Sequence, residues 1–331
     1  MKAPLIVSIA LAAGLSGCVN QQVKPSNPYD KPTVAKVTAP IRMPSGFNPD
    51  ILELVEDGRL IRIYTQMDHI GDPSNAQLLF PVKVAQQLGL TNSQINRRFG
   101  DALRATRRFT IFDAEYTVVQ NQSQQRYRKE DADIVVSGQV VEARQHVVDI
   151  SPYRKVVTNV KLSVRMINRL TGESLFDGAV AVDGSWGNST GEGTMLSPST
   201  NLQNPDFQSQ VGADYEKALT RALDAAVERI VEVARPMARI THVEGDSVSI
   251  FGGSRSGFMA DDEIVVVRPF TRRMPDGKEK VFRTQAVAVA RCEGVGTDVS
   301  QCELIRQVPG LTPKDGDFAV LSDSSTHRVR R

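Results

Sequence analysis

Val160-Lys161-Leu162-Ser163-Val164-Arg165-Met166-Ile167-Asn168-Arg169-Leu170-Thr171-Gly172-Glu173 is the stretch that sets the fold class. Val160, Leu162, Val164 and Met166 fall on one face of an extended segment, and Lys161, Ser163 and Arg165 fall on the other. A period of two is that of a half-buried strand. Asn168–Glu173 then reads as a turn, because Asn and Gly both tolerate positive φ, and alternation resumes over Ser174–Val182. Upstream, Asp133–Val148 reads as a long strand in which Ile134-Val135-Val136 leads into Gly138. Downstream lies the strongest helix signal, Tyr215–Arg235. Leu219, Leu223, Ala226, Val227, Ile230, Val231 and Ala234 recur there at helical spacing, and Pro236 ends it. A run of strands with its own long helix predicts an α+β fold.

Working outward, Leu60–Tyr64 alternates as a first strand. A helix is predicted from Thr91-Asn92-Ser93, with Ile95, Phe99, Ala102 and Leu103 on its apolar face. Arg97, Arg98, Arg104, Arg107 and Arg108 occupy the opposite side, read as a solvated face, with a site for an acidic partner as the alternative. Phe109–Phe112 reads as a short strand and Tyr116–Lys129 as a polar helical stretch. Asp183–Gln210, rich in Gly, Ser, Thr and Asn, reads as a loop. Past Pro236 the pattern is all-β. Val248–Phe251, Glu263–Arg268, Val281–Cys292 and Phe318–Leu321 are strand candidates, enough for a small barrel or sandwich.

The beginning of the chain speaks to compartment. Met1-Lys2 gives a small positive start, Leu5–Leu15 an apolar core, and Leu15-Ser16-Gly17-Cys18 a small-residue run ending in cysteine. That core is shorter than the roughly 20 residues a membrane-spanning helix needs. The run resembles the lipobox of bacterial lipoproteins, in which the cysteine becomes the diacylated mature N-terminus. The alternative is an ordinary signal peptide that ends near a cysteine. The resemblance implies lipidation at Cys18 and, with Val19 rather than Asp next to it, an outer-membrane anchor facing the periplasm. Val19–Pro49, rich in Asn, Gln, Lys and Pro, reads as a flexible tether. The expected organisation is therefore a signal peptide over 1–17, a tether over 18–49, an α/β domain over 50–236 and a β-domain over 237–331.

Composition narrows the function classes. With 331 residues, 40% hydrophobic and 24% charged, the chain can bury one large core or two modest ones. A net charge of +2 gives no electrostatic case for a nucleic-acid partner. If Cys18 carries lipid, Cys292 and Cys302 remain as an even pair in an oxidising compartment, on the two arms of a hairpin turned at Gly294 and Gly296. A disulfide is the preferred reading over two free thiols. A zinc site is not, since two thiols without neighbouring His or Cys do not fill a tetrahedral shell.

His69, His146, His242 and His327 are far apart and none has a partner at metal-ligand spacing. Phe251-Gly252-Gly253-Ser254-Arg255-Ser256-Gly257-Phe258 is glycine-rich, but it lacks the Gly-Lys-Ser/Thr ending of a phosphate loop and reads as a β-turn. Asp261-Asp262-Glu263 is an acidic turn without an evident partner, and no Gly-x-Ser-x-Gly elbow is present. No catalytic residue, metal ligand or cofactor is expected, and the chain reads as a non-enzyme.

Ala132-Asp133-Ile134-Val135-Val136-Ser137-Gly138, Met166–Glu173 and Arg107-Arg108-Phe109-Thr110-Ile111-Phe112 resemble the curli-secretion lipoprotein family and its TolB-N-like relatives. The likeness runs from about Leu60 to Pro236. Gly245–Ile250, Gly257 and Asp261–Val267 are similar to the C-terminal β-domain of the flagellar H-ring T proteins, which also carry a TolB-N-like domain ahead of it. The resemblance implies an α/β sandwich followed by a small barrel-like domain, envelope protein partners and a possible homo-oligomeric ring. It implies a scaffold role in curli-like secretion or in a flagellar or pilus basal structure; the alternative is a lipoprotein activator of a penicillin-binding protein. Curli-secretion lipoproteins insert membrane hairpins where this chain has Ala143–Val157 and Asp183–Gln210. A membrane strand needs roughly 9–11 residues with an apolar outward face. Arg144, His146, Asp149, Arg154 and Lys155 in the first region and Gly187–Gly193 in the second do not supply one, so no self-formed pore is expected.

Overall fold

The computed structural model describes residues 35–36, 41–54, 59–68, 76–77, 92–113, 117–120, 123–126, 129–150, 152–182, 195–197, 201, 204–275, 277 and 279–326. Cys18 and the expected signal peptide lie outside the described residues, as do Gly187–Gly193 of the predicted loop. The fold is α+β: a mixed sheet with two helices, followed by an all-β barrel.

The chain enters with β1 (Ala35–Lys36), β2 (Ile61–Asp68), β3 (Ala76–Gln77), α1 (Asn92–Ala105) and β4 (Phe109–Asp113). A separate antiparallel hairpin, β5 (Thr117–Gln120) and β6 (Ser123–Arg126), comes next. Then follow β7 (Ile134–Ile150), β8 (Tyr153–Asn168), β9 (Ser174–Val182), β10 (Met195–Leu196) and α2 (Pro205–Val233). β2 lies parallel between β4 and β7, while β7, β8 and β9 form an antiparallel meander. Val160, Leu162, Val164 and Met166 are buried, as their period of two requires. The turn after them is held by the Asn168 Oδ1, which accepts from the backbone N–H of Leu170 at 3.0 Å and of Thr171 at 3.3 Å. Gly172 adopts a φ of +74° there, the left-handed conformation for which glycine pays no steric cost. Helix α1 buries Ile95, Phe99 and Leu103 on β2 and β4, and α2 buries Leu219, Leu223, Ala226 and Ile230 on β8 and β9.

Several elements differ from expectation. The polar helix predicted over Tyr116–Lys129 is in part the β5–β6 hairpin: Thr117, Val118 and Val119 favour strand and no apolar helical face competes. Helix α2 starts at Pro205 rather than Tyr215, capped by Asn204 Oδ1, which accepts from the Asp206 N–H at 2.9 Å, and Pro205 suits the first turn. Strands β7 and β8 pair as far as Ile150 and Tyr153, so Ala143–Val157 is longer in strand than its charged residues suggest. The tether expected to run to residue 49 is docked before that point. Pro44 is buried, Ile41, Met43 and Phe47 pack on the core, and a 3-10 turn over Pro49–Leu54 buries Ile51 and Leu52.

Beyond Pro236 come β11 (Met237–Glu244), β12 (Ser247–Ile250), β13 (Glu263–Arg273), β14 (Glu279–Val295), β15 (Ser300–Gln307), β16 (Phe318–Leu321) and a short helix α3 (Asp323–Thr326). Strand β14 pairs with both β13 and β15, closing a barrel through β12, β11 and β16. β11 and β15 are additional to the predicted strands; polar Thr241, His242, Gln301 and Glu303 dilute their apolar pattern. Val265, Val267, Val289, Phe318 and Val320 of the barrel join the same buried cluster as the helices and the mixed sheet, within one compact unit over Val34–Arg331.

Candidate interaction surfaces

Two buried arginines tie the layers together. Arg107 ends the turn after α1 with a φ of +56°, and Arg108 behind it points into the barrel side. Arg108 Nη1 and Nη2 donate to the Asp262 carboxylate at 2.6 and 3.0 Å, and Nη1 also donates to the Gly257 carbonyl. The Met259 N–H donates to the same carboxylate at 2.8 Å. Gly257 has a φ of +84°, and a Cβ there would stand 3.1 Å from the Arg108 carbonyl oxygen, so the position is held for glycine twice over. The Arg108 and Asp262 side chains are 1% and 3% exposed. Arg108 is thus no part of a solvated helix face, and Asp262 of the acidic turn has its partner across the layers.

Arg235, fully buried, forms the second tie. Its guanidinium donates to the Ser45 carbonyl and to Asp323 Oδ1, both at 2.6 Å, to the Leu321 carbonyl at 3.1 Å and to the Glu232 carbonyl at 2.8 Å. The Ser45 N–H and hydroxyl donate to Asp323 in turn. Burial pushes the Asp323 carboxyl upward, but the Arg235 charge and the Ser45 hydrogen bonds outweigh it and hold it below the usual carboxylate value. The same balance lowers Asp133: burial opposes ionisation, and donation from Arg59 and Arg62 wins.

With the body fixed, one part of the barrel extends from it. β13 and β14 continue past their last partners at Val267 and Ala288 as a two-stranded arm, near whose tip the Gly277 N–H donates to the Met274 carbonyl at 2.9 Å. An isolated ribbon of this kind is marginal in water. Here it touches the body through Val281, packed on the main core, and through Lys280, whose Nζ is 3.3 Å from Glu173. Its register slips between Phe270 and Thr271, whose partners are Arg283 and Val281, so Phe282 has no residue opposite. Such a bulge re-aims a side chain, and Phe282 is 64% exposed. Arg272, Arg273, Met274 and Arg283 of the arm are exposed as well, Glu279 stands opposite Arg273, and the Arg283 guanidinium lies 5.8 Å from the Phe270 ring centre.

A groove lies between the helices. Ala102, Ala105 and Thr106 form one wall of a groove of about 380 Å³; Asp224, Val227, Glu228 and Val231 of α2 form the other, and Thr326 closes one end. Its floor is apolar, and its charged lining residues are both carboxylates.

The predicted site residues fall out as follows. Cys292 and Cys302 stand opposite each other on β14 and β15, with Cα atoms 3.8 Å apart, and are disulfide-bonded and buried. His146 and His242 are exposed, while His69 and His327 lie outside the described residues. Ser254–Ser256 is a 3-10 turn, not a phosphate loop opening a helix. In the arginine cluster, Arg98 pairs with Glu216 at 2.8 Å and Arg104 with Asp101 at 2.7 Å. Among the described residues no group of three or more His, Cys, Asp or Glu side chains is placed to hold a metal ion. No helix among them is long and apolar enough to cross a membrane. Sequence reasoning missed the arm; Asp276-Gly277 between Thr271–Met274 and Lys278–Phe282 was its available hairpin signal.

No protein-family model and no curated protein matches the chain. Among solved structures, a PelC dodecamer from Paraburkholderia phytofirmans is similar at 11% identity, over 54% of this chain and 91% of that one, with a TM-score of 0.26. The lipoprotein GNA1162 from Neisseria meningitidis is similar at 16% identity, over 47% of this chain and 96% of its own, with a TM-score of 0.19. TolB from Acinetobacter baumannii is similar at 12% identity, over 77% of this chain and 52% of its own, with a TM-score of 0.25.

Proposed function

We propose that this chain is a non-enzymatic lipoprotein, anchored through Cys18 to the outer membrane and facing the periplasm, that serves as a scaffold subunit of an envelope machine. Curli-like secretion and flagellar or pilus basal structures are the candidates. The observation that carries the reading is the arm, a two-stranded ribbon that leaves Phe282, Met274, Arg272, Arg273 and Arg283 exposed. Aromatic residues, Met and Arg are the types enriched in protein interfaces. The Cys292–Cys302 bond supports an oxidising compartment, and the lipobox-like run at Leu15–Cys18 supports the anchor.

The test is a photo-crosslinking residue at Phe282 in living cells, combined with fractionation. Scaffold function predicts crosslinked products in the outer-membrane fraction, and Cys18→Ser moves the folded protein to the soluble periplasm. Absence of any crosslinked envelope protein, or retention of Cys18→Ser in the membrane after a high-salt wash, contradicts the reading. Stimulation of a penicillin-binding protein in a cell-wall synthesis assay would favour the activator role instead.

A further inference from the structure

We propose that a cavity between the Ile41–Pro44 segment and the barrel binds the carboxyl end of a peptide whose last side chain is small and apolar. The inference goes beyond the scaffold reading and does not depend on it. The cavity, of about 380 Å³, is bounded by Ile41–Pro44, by β13 to β15 and by the residues that follow β16. Its floor follows from strand register. Val265 stands opposite Val289, and Val289 opposite Arg306, so the three side chains share one face across β13, β14 and β15. Val265 and Val289 are buried, whereas Arg306, at the end of the row, is exposed. Arg42 brings a second exposed guanidinium from the facing segment. Glu263, Ser322, Asp323 and Ser324 complete the polar part of the lining.

The charges that are already matched decide what the cavity takes. Asp323 is paired with Arg235 at 2.6 Å and Glu263 with Arg291 at 2.8 Å, and neither of those arginines is among the described lining residues. The Ser324 hydroxyl also donates to Glu263, at 2.8 Å. Arg42 and Arg306 have no ion pair or side-chain hydrogen bond among the described residues. Both carboxylates are thus neutralised, and two cations are not. Arginine bonds a carboxylate about twice as strongly as a neutral acceptor, so an anion is the ligand these two residues favour. The Val265–Val289 floor adds a second requirement, an apolar group close to the charge. The last residue of a peptide meets both, because its carboxylate and its side chain leave the same carbon. Its amide N–H has the Ser322 and Ser324 hydroxyl oxygens as acceptors. A bare phosphate satisfies the arginines but leaves the floor empty. The volume lies near the lower end of the range for small-ligand sites, about 300–1,000 Å³, which limits the ligand to its last few residues.

The experiment is calorimetric titration of the full chain in detergent with four probes: acetyl-Ala-Ala as the free acid, its carboxyl-terminal amide, acetyl-Ala-Asp and inorganic phosphate. The free acid is expected to bind. The amide, which lacks the charge, and acetyl-Ala-Asp, which sets a second carboxylate on the apolar floor, are each expected to bind at least about tenfold more weakly, and phosphate likewise. Arg42→Gln and Arg306→Gln, both at exposed positions, are each expected to weaken the free acid at least about tenfold and to leave the melting temperature unchanged. No binding of the free acid at millimolar concentration overturns the proposal. So does an amide or a phosphate that binds as tightly as the free acid, or binding indifferent to both arginine changes. Should either variant also melt lower, the comparison of free acid with amide on the wild type decides. The scaffold reading fails separately, by the absence of crosslinked envelope proteins from position 282.

Discussion

Asp262 is the residue on which the joining of the two layers turns. It accepts from both Arg108 terminal nitrogens and from the Met259 N–H in a site almost closed to water. Removing one partner of a buried pair strands the other charge, at a cost of about 3–5 kcal/mol, whereas replacing both with apolar residues costs far less. Asp262→Leu and Arg108→Met are each expected to lose stability on that scale in denaturant titration. The double variant Arg108→Met/Asp262→Leu is expected to lose clearly less than their sum, and additive losses would show that the pair is not a unit. Neither partner was legible locally, because 154 residues separate them and pairing at that distance leaves no periodic trace. Asp133 and Asp323 give the pH dependence. Both carboxyls titrate below their ordinary value when folded, despite burial, because arginines hold the charged form. The stability they add is present above the ordinary carboxylate value of about 3.9 and is lost as pH falls through the lower folded value. Melting temperature is thus expected to drop below about pH 4, and Asp133→Asn should flatten that limb while lowering stability at neutral pH.

At the scale of elements, local chemistry made some pieces legible and tertiary context made the others. Strand β8, its turn and strand β9 were readable because Val160 to Met166 alternate and because Asn168 and Gly172 suit the turn. The first turns of α2 were missed although Asn204-Pro205 marks a start and Phe207, Val211 and Tyr215 recur at helical spacing, because Gln208, Ser209, Gln210 and Gly212 give that stretch the composition of a loop. The arm was missed for a related reason: Arg272, Arg273, Glu279 and Lys280 interrupt the hydrophobic pattern, and the exposure of Phe282 comes from a register slip that spacing does not reveal. The cysteine hairpin was readable from glycine placement, and its bond crosses β14 and β15 at directly opposed residues. Cys292→Ala/Cys302→Ala is expected to cost about 2–3 kcal/mol, as closure of so short a loop implies, read by denaturant titration of the oxidised wild type against the variant. A loss near zero would mean that the barrel register is held without it.

At the scale of the whole molecule, the α+β order and the closing barrel were legible, whereas their fusion into one core was not. Val265, Val289 and Phe318 of the barrel share a cluster with Leu219 and Ile230 of α2. A body built this way mounts the arm on the main core through Val281. A photo-crosslinking residue at Phe282 in living cells tests the scaffold reading most directly: the account predicts crosslinked envelope proteins in the outer-membrane fraction, and their absence contradicts it.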